Sequence, residues 1–177
     1  MLFSGPSKIR TATLEDATEI SVLLGQLGYP TDAVSVRRRL KTILSRDDYL
    51  VTVAERARGL AGLVSACWGL YLEYDGRWGR ITSLVVAEDC RRQGIGTLLI
   101  DQAESWLRSR QARTCIVNSR QQRADAHRFY ERRGYQVTGF RFVKSLTTAT
   151  QAGGPLQRSK TGSRESRTKG APASTRH

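Results

Sequence analysis

The spacing of apolar residues changes several times along the chain, and each change marks an element. Residues 8–11 read as a short strand. Ala17, Ile20, Leu23, Leu24 and Leu27 then recur at helical spacing. Thr13, with Asp16 three residues on, is an acidic form of the capping box, and Gly28-Tyr29-Pro30 stops the helix. A second helix is predicted over residues 32–44, with Val36, Leu40, Ile43 and Leu44 inward and Arg37-Arg38-Arg39 on the solvated face. β-Branched and apolar runs predict strands over residues 49–54, 60–72 and 77–86, with turns at 55–59 and around Gly76. Ile95, Leu98, Leu99, Gln102, Ala103, Trp106 and Leu107 form one face of a third helix. Residues 113–118 make a further strand, and residues 124–133 a fourth helix closed by Gly134. Residues 135–138 and 140–146 are expected to form a final strand pair around Gly139.

The order is strand, two helices, three strands, helix, strand, helix, strands. A strand–helix–strand unit around the third helix implies a parallel pair joined by a crossover, inside an otherwise antiparallel meander. The fold class is therefore α/β, with a mixed, mostly antiparallel central sheet flanked by helices. From Thr147 the periodicity ends. Thr, Ser, Gly, Ala, Arg and Lys dominate and Leu156 is the only large apolar residue. Residues 1–146 are thus expected to be the folded domain and 147–177 a basic, disordered tail.

Charge narrows the partners. The chain of 177 residues carries a formal net charge of +13, and the tail holds six basic residues against one acid. Such a balance suits polyanions: phosphates of a small molecule, nucleic acid or a membrane surface. Cys67, Cys90 and Cys115 are widely separated and odd in number, which argues against a disulfide framework. With only His127 and His177, no metal site is expected. No apolar run is long enough for a membrane span and no signal-peptide core is visible, so a cytoplasmic location is expected.

The densest chemistry lies between residues 81 and 110. An apolar strand, Ile81-Thr82-Ser83-Leu84-Val85-Val86, is followed by a polar turn, then by Arg91-Arg92-Gln93-Gly94-Ile95-Gly96-Thr97 and the third helix. The first N–H groups of a helix lack intrahelical partners, and the helix dipole adds partial positive charge there. Gly94 and Gly96 let an anion approach the backbone closely, while Arg91 and Arg92 add forked donors. The dipole contributes only about 0.3–1 kcal/mol per anion, so the N–H groups and arginines must supply most of the affinity. Leu99 stands where a dinucleotide fingerprint needs its third glycine, and the Gly-Lys-Ser/Thr of a P-loop is missing.

Arg91-x-x-Gly94-x-Gly96 after an apolar strand resembles the acyl-CoA pyrophosphate loop of the GCN5-related N-acetyltransferases. A second block strengthens the likeness. Asn118, then Ala124 through Phe129-Tyr130 to Gly134-Tyr135, is similar to that family's Asn…Ala…Phe-Tyr…Gly-Phe/Tyr segment. The resemblance implies an acyl-CoA N-acyltransferase-like fold and transfer of the acetyl group of acetyl-CoA to a primary amine, by direct attack in a ternary complex. It also assigns roles. Backbone groups of Val85 and Val86 would hold the pantetheine arm and polarise the thioester carbonyl. The N–H groups of Arg92, Gln93, Gly94, Ile95, Gly96 and Thr97 would take the pyrophosphate, with Arg91 beside them, and Asn118 would bond the pantetheine unless it serves only to end its strand. Tyr130 would protonate the leaving thiolate. A tyrosine has a pKa of about 10 against about 8.5 for a thiol, so it is still protonated when charge develops on sulfur.

The attacking amine must lose a proton. Glu73, in the turn between the third and fourth strands, is the expected base; a water held by Thr82 or Ser83 is the other route. The acceptor is either a small molecule or a protein amine, and the sequence does not choose between monomer and homodimer. Two other uses are compatible with the charge. One is a basic nucleic-acid-binding module acting through the tail, and the other an acyl-CoA sensor without turnover. The arginines gathered at a glycine-led helix start favour the enzyme.

Overall fold

A computed structural model describes residues 8–144 and 146. Among these residues, five strands and four helices follow in the order β1 (Lys8–Thr11), α1 (Ala17–Leu27), α2 (Ala33–Leu44), β2 (Tyr49–Glu55), β3 (Leu60–Leu70), β4 (Arg77–Val86), α3 (Ile95–Ser109), β5 (Ala112–Val117) and α4 (Ala124–Arg132). The strands form one sheet in chain order. Neighbours from β1 to β4 run antiparallel, and β4 pairs β5 in parallel. A parallel neighbour needs a crossover, and α3 is that crossover. Ile95, Leu99, Ile100, Ala103 and Leu107 of α3 are buried against one face of the sheet. Gly62 and Gly79 allow this approach: a Cβ on Gly62 would lie 2.9 Å from Leu99 Cδ1, and one on Gly79 2.6 Å from Leu107 Cδ1.

The opposite face is covered by α1 and α2, through Ala17, Ile20 and Leu23 of α1 and Val36 and Leu40 of α2. A short 3₁₀ turn, Leu14–Asp16, leads into α1. The Asp16 carboxylate accepts from the Thr13 backbone N–H at 2.7 Å and takes both Arg10 guanidinium N–H groups at 2.8 Å. This part-buried ion pair ties β1 to the start of α1. Gly28, at φ +94°, ends α1 in the left-handed conformation that a residue without a Cβ adopts freely.

The expected final strand pair at 135–138 and 140–146 is corrected. Residues 135–144 contain no strand. A strand is stable when its N–H and C=O groups pair with a neighbour and one face is buried. Val137, Phe140 and Phe142 are about nine-tenths exposed, so the alternation of apolar residues there is not matched by burial. The described residues from Val137 onward form a unit of their own. The expected disordered tail, 147–177, lies outside the described residues.

Candidate active site

The site is built where β4 and β5 stop pairing. Their parallel register runs from Arg77 opposite Ala112 to Ile81 opposite Val117 and ends there. On its other side, β4 pairs β3 with Ser65 opposite Ser83 and Ala66 opposite Ile81, so Thr82 is an extra residue bulged out of the ladder. A bulge bends its strand and increases the local twist. This one sits where β4 leaves β5, and from Ser83 to Val86 the strand has a neighbour only on the β3 side. The backbone edge of β4 is thereby left open to an extended ligand.

Strand parity decides which groups face that edge. Ala87 N–H donates to Ala61 O across β3. Alternation then turns the N–H and C=O of Val85 toward β3, and those of Val86 and Leu84 toward the gap. Arg91 Nε donates to Val86 O from the open side at 3.4 Å, as that parity requires. Of the expected pair, Val86 therefore presents its backbone to the opening. Leu84 is its partner there, a residue the sequence argument missed because parity is invisible until the Thr82 bulge is located.

The loop after β4 begins with a 3₁₀ turn, Glu88–Cys90. Arg56 pins it, donating to Asp89 Oδ2 at 2.6 Å and to the buried Cys90 Sγ at 2.8 Å. Arg92 has φ +62° and Gly94 φ +81°, two left-handed residues that turn successive N–H groups inward. Among the described residues, no acceptor takes the N–H groups of Arg92, Gln93, Gly94, Ile95 or Gly96. The Thr97 N–H is different, because it donates to Gly94 O at 3.0 Å. Gly94 is required by its φ. Gly96 is not, since a Cβ there would meet Val86 Cγ2 and the Phe129 ring at ordinary contact distances of 3.6–3.8 Å. The fold can accommodate a side chain at Gly96, so its absence leaves room for a ligand. Arg91 and Arg92 are exposed beside this cradle.

β5 and α4 form the other wall. Asn118 follows the last residue of β5 and is exposed, and the next side chain, Ser119, has its Oγ buried without a partner. An orphaned hydroxyl costs free energy unless a ligand or water satisfies it. The free N–H cradle, the open β4 edge and this hydroxyl all fit an extended phosphate-bearing molecule. On α4, Phe129 packs toward Gly96, while Tyr130 meets Phe129 and Tyr135 edge-on at 5.4 and 5.6 Å between ring centroids. Burial pushes the Tyr130 hydroxyl above the usual tyrosine range, and no described residue accepts from it or donates to it. Tyr135 instead donates to Glu104 Oε1 at 3.0 Å and contacts Cys115 Sγ at 3.2 Å, which fixes the ring that supports Tyr130.

Glu73 is not brought to this opening. It sits in the exposed turn between β3 and β4, where its carboxylate accepts from the Leu72 N–H at 3.2 Å. The bulge is five residues beyond the start of β4, on the order of 16 Å along an extended strand. At the bulge itself, the Thr82 and Ser65 hydroxyls lie 2.5 Å apart. An open groove of about 650 Å³, lined by Ser45, Arg46, Asp47, Asp48, Trp68, Gly69 and Leu70, lies at the far end of β3 and holds none of these groups.

Comparison with known proteins agrees with this geometry. The sequence model of the acetyltransferase (GNAT) family matches residues 17–135, which includes the β4 edge, the loop and α4. This chain is a member of that family. The aminoalkylphosphonate N-acetyltransferase of Salmonella typhimurium is 31% identical over 140 residues, spanning 78% of this chain and 91% of the relative. Among solved structures, a GNAT family acetyltransferase of Staphylococcus aureus superposes with a TM-score of 0.68 at 24% identity, covering 80% of this chain and 99% of the other. The glucosamine-6-phosphate N-acetyltransferase of Arabidopsis thaliana gives 0.68 at 23%, covering 79% and 98%. At these identities, the structural matches speak for the fold. As a GNAT acetyltransferase, the chain transfers an acetyl group from acetyl-CoA to an amine. The nucleic-acid-binding reading of its charge is not favoured. No helix of the described residues is long and apolar enough to cross a membrane.

Proposed function

We propose that acetyl-CoA lies across the open edge of β4, and that the amine attacks it directly within a ternary complex. The N–H groups of Arg92, Gln93, Gly94, Ile95 and Gly96 take the pyrophosphate, with Arg91 and Arg92 supplying charge. Leu84 and Val86 pair with the amide groups of the pantetheine arm as a strand would, and Asn118 and Ser119 close the β5 side. The observation that carries this reading is the coincidence of the Thr82 bulge with the end of β4–β5 pairing at Ile81 and Val117. It leaves a backbone edge unpaired beside a cradle of unpaired N–H groups.

The chemistry follows from charge. The amine nitrogen forms a bond to the thioester carbonyl carbon, the C–S bond breaks, and the sulfur leaves as a thiolate. Tyr130, kept neutral by burial and with its hydroxyl unclaimed, donates the proton that the sulfur takes up. The proton lost by the amine passes to a water held by the Thr82 and Ser65 hydroxyls and so to solvent. Glu73, expected from the sequence as the base, has no such contact. Small amines are the first acceptors to try, since the Salmonella relative is named an aminoalkylphosphonate N-acetyltransferase.

Calorimetric titration with acetyl-CoA, followed by thiol-release assays on wild type and Tyr130→Phe, tests the reading. The expected result is one saturable site in both proteins and a loss of about 10²-fold or more in kcat for the variant. Wild-type turnover in Tyr130→Phe would remove the tyrosine from the mechanism, and absent binding would remove the cofactor site.

A further inference from the structure

The acceptor has to approach the bulge from somewhere, and strand parity shows where. Gly62 and Gly79 face α3, so Ser65, Cys67 and Gly69 of β3, and Trp78, Arg80 and Thr82 of β4, face the other side. On β5, Thr114 and Ile116 lie opposite Trp78 and Arg80 and share that side. Arg80, Thr82, Thr114 and Ile116 are all exposed. α1 and α2 therefore leave a strip of sheet over β4 and β5 uncovered, and it leads to the bulge. Trp78 and Tyr71 border the strip. The Trp78 indole N–H donates to Leu70 O at 3.1 Å, and the ring fills the space over Gly69, where a Cβ would lie 2.2 Å from it. The Tyr71 hydroxyl is 2.6 Å from Thr114 Oγ1.

Arg80 is the charge on this strip. Its guanidinium stacks over the fixed Trp78 ring, 5.4 Å from the centroid, which restricts the side chain before any ligand arrives. Among the described residues, no carboxylate pairs with it. Asp48, which with Arg80 acts on Cys67, is itself held by Arg46 through both oxygens at 2.6 and 2.8 Å. The floor of the strip is otherwise hydroxyl and aromatic, with the aliphatic Ile116 beside Arg80. A pre-positioned guanidinium with no acid of its own, two strand positions or about 6.6 Å from the bulged Thr82, is suited to a small molecule with an anion at one end.

We infer that the acceptor is a short amine bearing an anionic group, and that Arg80 binds this anion on the uncovered strip while the amine reaches the acetyl carbon beside Thr82. The inference rests on the proposed placement of acetyl-CoA at the β4 edge. An unsubstituted amine or a polyamine would find only a cation at Arg80, and like charges there disfavour it. Arg120, over the Tyr29 ring at 4.9 Å and next to Gly28, sits past the end of β5 and is the natural control.

The test uses the full chain. Thiol release is measured with 2-aminoethylphosphonate, β-alanine and ethanolamine, for wild type, Arg80→Gln, Arg80→Lys and Arg120→Gln, alongside calorimetry with acetyl-CoA. Wild type is expected to prefer the two anionic amines over ethanolamine. In Arg80→Gln, KM for the anionic amines should rise about 10- to 100-fold, the equivalent of one lost charge-assisted contact. Acetyl-CoA affinity should stay as in wild type, ethanolamine use should not fall, and Arg80→Lys should recover part of the loss. Acetyl-CoA binding with equal use of all three amines, or with use of none, overturns the inference and leaves the cofactor site standing. So does a loss confined to Arg120→Gln. Failure to bind acetyl-CoA overturns both.

Discussion

Gly94 and Gly96 look alike in the sequence but are glycines for different reasons. Gly94 occupies a left-handed conformation at the N-cap of α3, which costs any side chain strain. Gly96 has a free Cβ position within the protein, so under the proposed placement of acetyl-CoA its constraint comes from the ligand. Gly96→Glu is therefore expected to abolish acetyl-CoA binding by calorimetry while leaving the thermal midpoint close to wild type. A collapse of both together would mean that Gly96 serves the fold. Tyr130 is constrained in a similar way. Desolvation raises its pKa, so the neutral, donating form persists past the ordinary value of about 10. The alkaline fall of kcat from this group should accordingly lie above pH 10, and Tyr130→Phe should remove it.

The elements that carry the site are held by contacts away from it. α1 is anchored through Asp16, whose carboxyl the Arg10 guanidinium holds below the usual carboxylate range. A depressed folded-state pKa contributes stability that is complete above the unfolded value of about 3.9 and is lost as pH falls through the folded value. Part of the acid unfolding of this domain should thus occur below about pH 4. Asp16→Ala removes that segment and leaves Arg10 with Glu55 alone; a cost of about 2–3 kcal/mol is expected in urea melts. An Asp16→Ala melt that matches wild type at pH 7 would show that this pair does not secure α1. The 3–4 periodicity of α1, α2 and α3 and the strand runs of β2 to β4 were legible because burial on one face dictates them. Residues 136–144 have the same apolar alternation without that burial, so the pattern alone misread them.

Across the whole chain, the positive charge has two consequences. A net charge of +13 raises the encounter rate with the polyanionic acetyl-CoA, and added salt screens it, with a Debye length of about 8 Å at physiological ionic strength. Stopped-flow association is expected to slow as salt rises from about 0.05 to 0.5 M, more steeply than dissociation changes. An association rate indifferent to salt would exclude steering.

Local order in the sequence was enough for the element sequence, the glycine-led start of α3, the two arginines and Tyr130, because each rests on neighbours within a few residues. It also named Val86 as a candidate. Leu84, Ser119 and Arg80 could not be found that way. Their proposed roles depend on which residue of β4 bulges, where β5 parts from it and which strip of sheet the helices leave bare. Those are facts of pairing between segments distant in the chain, and no run of neighbouring residues encodes them. Glu73 shows the converse: a carboxylate in an acidic turn reads as a base until the hairpin is seen to hold it away from the bulge.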